Sequence, residues 1–298
     1  MKSSEEGFNS ESTVESVLPN NISLIENLLI NASQTLTRSF FAPWPLTAIL
    51  RLRKVNNLMR HVADNYLEEG WDSTEFFSSW FTDPIAFRQL LRKCNGVVTG
   101  SQSLNFLNRH TCLYSPLDIV VPAETFSIMG RWLIIQGGYE LDVTVPVDFR
   151  SSFRSINTSA KVTLTVSYGH VLARILGSYH SMSIYVLCQF SKFSHKRPFI
   201  KAASMNFISW NKAVCLFPHS TLIQLRAYTN VSMYGPNGVT RTWVEKFQSR
   251  GYEIIGSSFA CKMRPKERYK RRIFDSLSWI INLNCHGKIA CFFLSIYF

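Results

Sequence analysis

Between Val97 and Val147 apolar runs and helical runs alternate in a fixed order, and this alternation limits the fold more than any other feature of the chain. VVT (97–99) is a short β-branched run. Gly100-Ser101 turns out of it into a helix that presents Leu104, Phe106 and Leu107 on one side. LDIVV (117–121) is a second apolar run, closed by Pro122. Residues 123–136 carry Phe126, Met129, Trp132, Leu133 and Ile135 as the inner face of a helix, and Gly137-Gly138 stops it. YELDVTVPV (139–147) then alternates, with Tyr139, Leu141, Val143 and Val145 on one face and Glu140 and Asp142 on the other. Strand, helix, strand, helix, strand predicts an α/β fold built on a mixed sheet.

The flanks predict a four-part organisation. Residues 1–35 are rich in Ser, Asn and Glu and read as a disordered acidic arm, with a short helix at SLIENLLINA (23–32). Residues 36–94 are helical: Leu46, Ile49, Leu50, Leu52, Val55, Leu58, Met59, Val62 and Tyr66 recur at three- and four-residue steps. Asp83 or Thr82 can cap a further helix that has Pro84 in its first turn and ends at Asn95-Gly96. The α/β domain occupies 95–283, with strands expected in KVTLTVSYGHVLARIL and MSIYVLCQFSKF. A helix is expected over 202–218 (AASMNFISWNKAVCLFP), and another before a stop at Gly251. An apolar tail fills 284–298; Asn282, Asn284, His286 and Lys288 interrupt the apolar stretch, against a membrane anchor.

Composition narrows the chemistry. The seven cysteines are odd in number and show no CxxC or CxxH spacing, which argues against a disulfide framework or a zinc site. No two of the seven histidines lie four residues apart, so no helical metal pair is visible. No apolar run reaches the roughly 18 residues that a membrane span requires, and the start lacks the apolar core of a signal peptide. An intracellular protein, cytoplasmic or nuclear, is expected. The net charge of +12 concentrates in CKMRPKERYKRR (261–272), where seven Lys or Arg face one Glu. Such a run can bind phosphates of a nucleic acid, serve as a nuclear import signal, or form a solvated face.

Two residue groups carry the candidate chemistry. Gly100 permits a tight turn into a helix whose first amides can hold a phosphate, while Ser101 can alternatively cap that helix. Asp118 stands on the following strand, and the residue two before it, on the same strand face, is Pro116, which has no side-chain oxygen. Glycine-serine opening a helix, followed by a strand with Asp-x-Asp, resembles the nucleotidyltransferase superfamily. More closely, FTDPIAFRQLLRKCNGVVTGSQSLNFL, SPLDIVVP, MNFISWNKAVCLFP, WVEKFQSRGYEI and RRIFDSLSWIINL resemble, in pieces over 45–283, a fungal family. That family joins a nucleotidyltransferase-like domain to an F-box-like helical start, which LTAILRLRKVNNLMRHVADNYL resembles; a plain helical cap on the α/β domain explains the same residues.

The resemblance implies two magnesium ions held by carboxylates and a nucleoside triphosphate. Here Pro116-Leu117-Asp118 stands in place of Asp-x-Asp, so a non-catalytic binding or adaptor protein with no cofactor is expected. In the alternative, a divergent metal-dependent transferase, Asp118 holds metal and Asp142 is the best third carboxylate among Glu140, Asp142 and Asp148. Glu124 opens the next helix, where the helix dipole favours an acid without any catalytic role. The F-box-like reading implies an Skp1-type adaptor as partner through Leu52 and Val55, with an unknown protein client on the α/β domain. The basic run leaves nucleic acid as a further partner, and no membrane is expected.

Overall fold

In the computed structural model the described residues are 23–110, 114–145, 150–172, 205–229, 244–256, 276–283 and 291–292. The chain enters through short helices. Helix α1 (Leu24–Asn31) opens on a capping box in which Ser23 and Glu26 satisfy each other's backbone amides. This is the short helix expected over 23–32, and Glu26 also accepts from Asn56, the N-cap of α4. Helices α2 (Gln34–Phe41), α3 (Leu46–Leu52), α4 (Asn57–Gly70), α5 (Ser73–Ser78) and α6 (Pro84–Lys93) follow. Asp83 caps α6 with Pro84 in its first turn, and Asn95, at φ 47°, ends it through bonds from Asn95 and Gly96 to the carbonyls of Arg92 and Leu91.

The alternating segment folds in its expected order. Strand β1 (Val97–Thr99), helix α7 (Gly100–Leu107), strand β2 (Leu117–Pro122), helix α8 (Phe126–Ile135) and strand β3 (Tyr139–Val145) succeed one another. Strands β4 (Arg150–Ser155) and β5 (Lys161–Ser167) come next, and then β6 (Asn206–Ile208) and β7 (Lys212–Cys215). The chain continues through a π turn (His219–Ile223), β8 (Arg226–Thr229), a short helix over 244–248, β9 (Glu253–Gly256), β10 (Trp279–Asn282) and β11 (Cys291–Phe292).

Among the described residues nine strands form one mixed sheet, ordered β11-β10-β7-β6-β1-β2-β5-β4-β3. Only β2 and β5 pair in parallel within it; the other pairs are antiparallel. Strands β8 and β9 make a separate parallel pair. The architecture is mixed α/β, as the alternation predicts. Among the described residues no helix is long and apolar enough to cross a membrane.

Strand alternation divides the core in two. Leu117, Ile119 and Val121 of β2 join Val98, Val162, Leu164 and Ile208 under the helices. On the opposite face Val97, Val120, Phe207 and Val214 pack with Met205, Leu216, Phe217 and Ile255. Asp118 lies on this second face, between the two apolar clusters' shared strands.

Three expectations are corrected. Residues 202–218 hold a β-hairpin, β6–β7, instead of a helix; Asn206–Ile208 is buried throughout and the turn at Ser209–Asn211 is closed by Ser209 N–H to the Lys212 carbonyl, 2.7 Å. A hairpin covered on both faces has a continuous apolar run, which resembles a buried helix in sequence. Ile135 is 70% exposed at the end of α8. In β3 Tyr139 is deeply buried, but a bulge between Leu141 and Val143 disrupts the ladder and both of these side chains are exposed. The strand expected over 182–193, the basic run 261–272 and Asp148 lie outside the described residues, as does most of the tail.

The helical segment and the sheet share one core. Trp71 stacks edge-on against Trp279 and donates its indole N–H to the Leu107 carbonyl, and the Tyr139 hydroxyl donates to the Trp80 carbonyl. Buried Arg88 of α6 is the strongest stitch: its guanidinium donates to the Trp210 carbonyl at 3.0 and 3.3 Å and to the Leu283 carbonyl at 2.7 Å. Replacing it strands buried carbonyls on two separate segments. Arg88→Ala is expected to lower unfolding free energy by about 3 kcal/mol in urea titration. Arg92→Ala, which removes an exposed guanidinium from over the Trp210 ring, is expected to cost about 0.5–1 kcal/mol.

Candidate functional site

The site forms where helix α7 leaves strand β1. Gly100 is the first residue of the helix and has φ +75°, a conformation that glycine adopts freely. A Cβ at this position would collide with Oδ2 of Asp118, so the turn and the acid are packed directly together. The ladder explains why: Thr99 of β1 is paired with Asp118 of β2. Ser101 occupies the first turn and is not the cap. The N-cap is Thr99, which makes no side-chain capping bond; its hydroxyl donates instead to the Asn206 carbonyl, 3.2 Å. The Ser103 hydroxyl reaches both the Gly100 and Asn206 carbonyls, at 2.8 and 3.0 Å.

Asp118 is partly buried and surrounded by groups that satisfy it. Its other neighbour in the sheet is β5, where Thr163 lies directly opposite and donates its hydroxyl to the carboxylate. From β4, Arg150 reaches across β5 to place Nη2 3.4 Å from Oδ1. Lys246, on the short helix over 244–248, adds a second positive field. Burial raises the Asp118 pKa above its ordinary value, and Arg150, Lys246 and Thr163 only partly oppose it.

The sheet order keeps the other proposed carboxylate away. Between β2 and β3 lie β5 and β4, so Asp142 is three strand spacings from Asp118, about 14 Å. It sits at the bulge of an edge strand and pairs with Arg154 at 2.9 Å. Glu140 is exposed on the same strand, opposite Arg154 in the ladder, and Glu124 is exposed on the turn before α8. Among the described residues no three His, Cys, Asp or Glu side chains converge as a metal would require. A donor set of one carboxylate, already paired with an arginine and a threonine and preceded by Pro116, does not fit a two-magnesium centre. Leu52 is half-buried against the main core, and Val55 is exposed between α3 and α4.

Arg150, Thr163 and Lys246 escaped sequence reasoning. Each comes from a different segment, and only the sheet order brings Arg150 and Thr163 to Asp118. Thr163 could have been found from the parallel pairing of β2 with β5, but no local motif announces that pairing.

No family model matches the chain, and no curated protein matches it. Among solved structures it is similar to the Thermotoga maritima CCA-adding enzyme complexed with tRNA-CCA, with 14% identity, a TM-score of 0.42, and coverage of 63% of this chain and 43% of that one. It is similar also to the apo form I of a CCA-adding enzyme, with 14% identity, a TM-score of 0.39, and coverage of 63% and 44%. The chain thus spans less than half the length of either, and no residue role follows from the likeness.

The Gly100–Asp118 contact generates two predictions. Gly100→Ala introduces both a strained φ and a collision, and is expected to destabilise by about 2 kcal/mol or more. In the double variant with Asp118→Ala the loss should be less than additive, because the colliding oxygen is gone. The raised pKa of Asp118 fixes the sign of its pH effect. The native state favours the protonated acid, so its contribution is full below the ordinary carboxylate pKa and is lost as pH rises through the native value. Asp118→Asn is therefore expected to stabilise the protein at neutral pH, by about 1 kcal/mol, with the advantage vanishing in acid. Thermal melts of both proteins from pH 3 to 8 check this.

Proposed function

We propose that the chain is a nucleotidyltransferase-like domain that binds the phosphates of a nucleotide without transferring them, and so acts as a binding or adaptor module. The observation that carries this reading is the state of Asp118: it is packed on Gly100 at the start of α7, paired with Arg150, and lacks a second carboxylate beside it. The same turn places the first amides of α7 near two cationic side chains, Arg150 and Lys246. Phosphate oxygens bound there would take hydrogen bonds from the helix start and charge from both cations. In this reading Asp118 restrains anion binding instead of ligating metal.

The reading and its enzymatic alternative predict opposite responses. If Asp118 holds magnesium, Asp118→Ala abolishes magnesium-dependent nucleotide binding. If Asp118 repels phosphate, Asp118→Ala tightens magnesium-free ATP binding, by about tenfold for 1.4 kcal/mol of relieved repulsion. Calorimetric titration of the full chain with ATP and GTP, with and without magnesium, separates the two. Arg150→Ala is expected to weaken binding in the native protein. Metal-dependent binding lost with Asp118→Ala would overturn the proposal and restore Asp118 to a catalytic role.

The helical segment is the support for an adaptor role toward an Skp1-type partner. Val55 is 66% exposed and available to such a partner, whereas Leu52 packs inward. Co-purification with the adaptor, lost with Val55→Asp while the thermal melt is unchanged, is the expected result.

A further inference from the structure

Helices α3 and α4 meet at a tight turn, and the sequence there, RLRKVNNLMR (51–60), gathers cations. Two successive backbone bonds close the turn, from Lys54 N–H to the Arg51 carbonyl at 3.0 Å and from Val55 N–H to the Leu52 carbonyl at 3.1 Å. Arg60, one turn into α4, folds back and donates from Nε to the Arg53 carbonyl at 3.4 Å. Arg51, Arg53, Lys54 and Arg60 therefore stand on one corner of the helical segment, and all but Arg53 are exposed. Arg51 and Arg53 lie at the end of α3, where the helix dipole favours cations. Arg60 has no such reason to be there. It stands near the start of α4, the end that favours anions, and the first turn of that helix carries no acid.

The acids on the surrounding elements do not balance this corner. Asp64 is taken by Arg53, whose Nε lies 2.6 Å from it. Glu26 reaches over from α1 and accepts from the side-chain amide of Asn56. The other acids of α4, Glu68 and Glu69, come about 16 Å along the axis from its start. Helix α2, α3 and the π turn packed on α3 carry none. Four cations thus meet two acids, both already engaged, and the excess is positive.

Two features of the corner select the kind of anion. Val55 is exposed between Lys54 and Asn56, which sets an apolar contact point among the charges. A phosphate backbone has nothing apolar to place there, whereas a peptide can set an aliphatic side chain beside its carboxylates. Glu26, which comes to the corner from another helix, is itself a carboxylate and displays the chemistry that the turn accepts.

We propose that the α3–α4 corner docks an acidic segment of a partner protein, with its carboxylates on Arg51, Lys54 and Arg60 and an aliphatic side chain on Val55. The inference rests on the reading of Val55 as a partner-facing residue, and adds the chemistry of the partner to it. Each ion pair on so exposed a corner is weak and screened by salt, so affinity comes from several of them acting with the Val55 contact.

Fluorescence anisotropy on the full chain tests this with three labelled probes: a short peptide in which glutamates flank single leucines, its glutamine counterpart, and single-stranded oligothymidylate. Saturable binding of the acidic peptide is expected, weakening as salt rises, and the glutamine counterpart should bind far less. Arg51→Gln combined with Arg60→Gln is expected to weaken peptide binding by about tenfold or more, and Val55→Ser by about fivefold, with thermal melts unchanged. Arg150→Ala, at the Asp118 turn, should leave it unaltered. The basic run 261–272 is intact in all these variants, so peptide affinity that survives the double variant would place binding elsewhere and overturn the proposal. No saturable peptide binding would do the same. Oligothymidylate binding weakened by the double variant, with Val55→Ser leaving the peptide as it was, would assign the corner to a phosphate backbone instead. Peptide binding that appears only once Glu5, Glu6, Glu11 and Glu15 are changed to Gln would make the chain's own acidic segment the occupant, and also overturn it. Peptide binding that responds as expected while no Skp1-type adaptor co-purifies supports the corner and removes that adaptor. Co-purification that the double variant leaves intact, together with unaltered peptide binding, keeps the adaptor and overturns the corner.

Discussion

Helix α7 is buried from Gln102 through Leu107, and this burial sets conditions that much of the surrounding structure has to meet. Leu104, Phe106 and Leu107 enter the core without difficulty. Gln102, Ser103 and Asn105 must find partners, because an unsatisfied buried polar group costs about 1–3 kcal/mol. The Gln102 amide donates to the Ser115 carbonyl, Asn105 donates to Gln102, and Ser103 reaches Asn206. These bonds tie the helix to the approach of β2 on one side and to the start of β6 on the other. Trp71 adds the helical segment through the Leu107 carbonyl.

A helix fixed in this way places both of its ends. Its start holds Gly100 against Asp118, leaving no space for a side chain between them. Asp118 is therefore part of the packing as well as part of a polar site, and its environment reflects both roles. Burial pushes it toward the neutral acid, while Arg150, Lys246 and Thr163 favour the carboxylate. A metal-binding centre needs several free oxygen ligands directed at one point. Here the single carboxylate is directed at an arginine and a threonine, and the preceding same-face position is proline.

The sequence made local order legible and left spatial order hidden. Period-2 and period-3.6 patterns gave the alternation from β1 to β3, and Asp83-Pro84 and Asn95-Gly96 marked both ends of α6 because capping chemistry is local. The hairpin β6–β7 was misread as a helix because it is buried on both faces, which erases the alternation that identifies a strand. Asp142 appeared a plausible companion to Asp118 because it lies on a nearby strand in sequence. Sheet order is a long-range property, and it interposes β5 and β4. Arg109 gave no warning either: the chain ends α7 with Leu-Asn-Arg-His, and nothing in that series reveals an arginine in a glycine conformation, at φ 60°.

The shared core also bears on how the helical segment can act. Leu46, Ile49, Phe77 and Phe87 are buried in the same cluster as Leu117, Val162 and Ile281 of the sheet. Arg88 binds carbonyls 122 and 195 residues away in sequence, so α6 cannot separate from the sheet without exposing an arginine and two acceptors together. A partner that engages the helices must therefore use surface residues, such as Val55, and leave the packed ones in place. Trp44, Tyr66 and Gly70, which hold Arg109 at the end of α7, all belong to the helical segment, so that end of the helix is packed into the same surroundings.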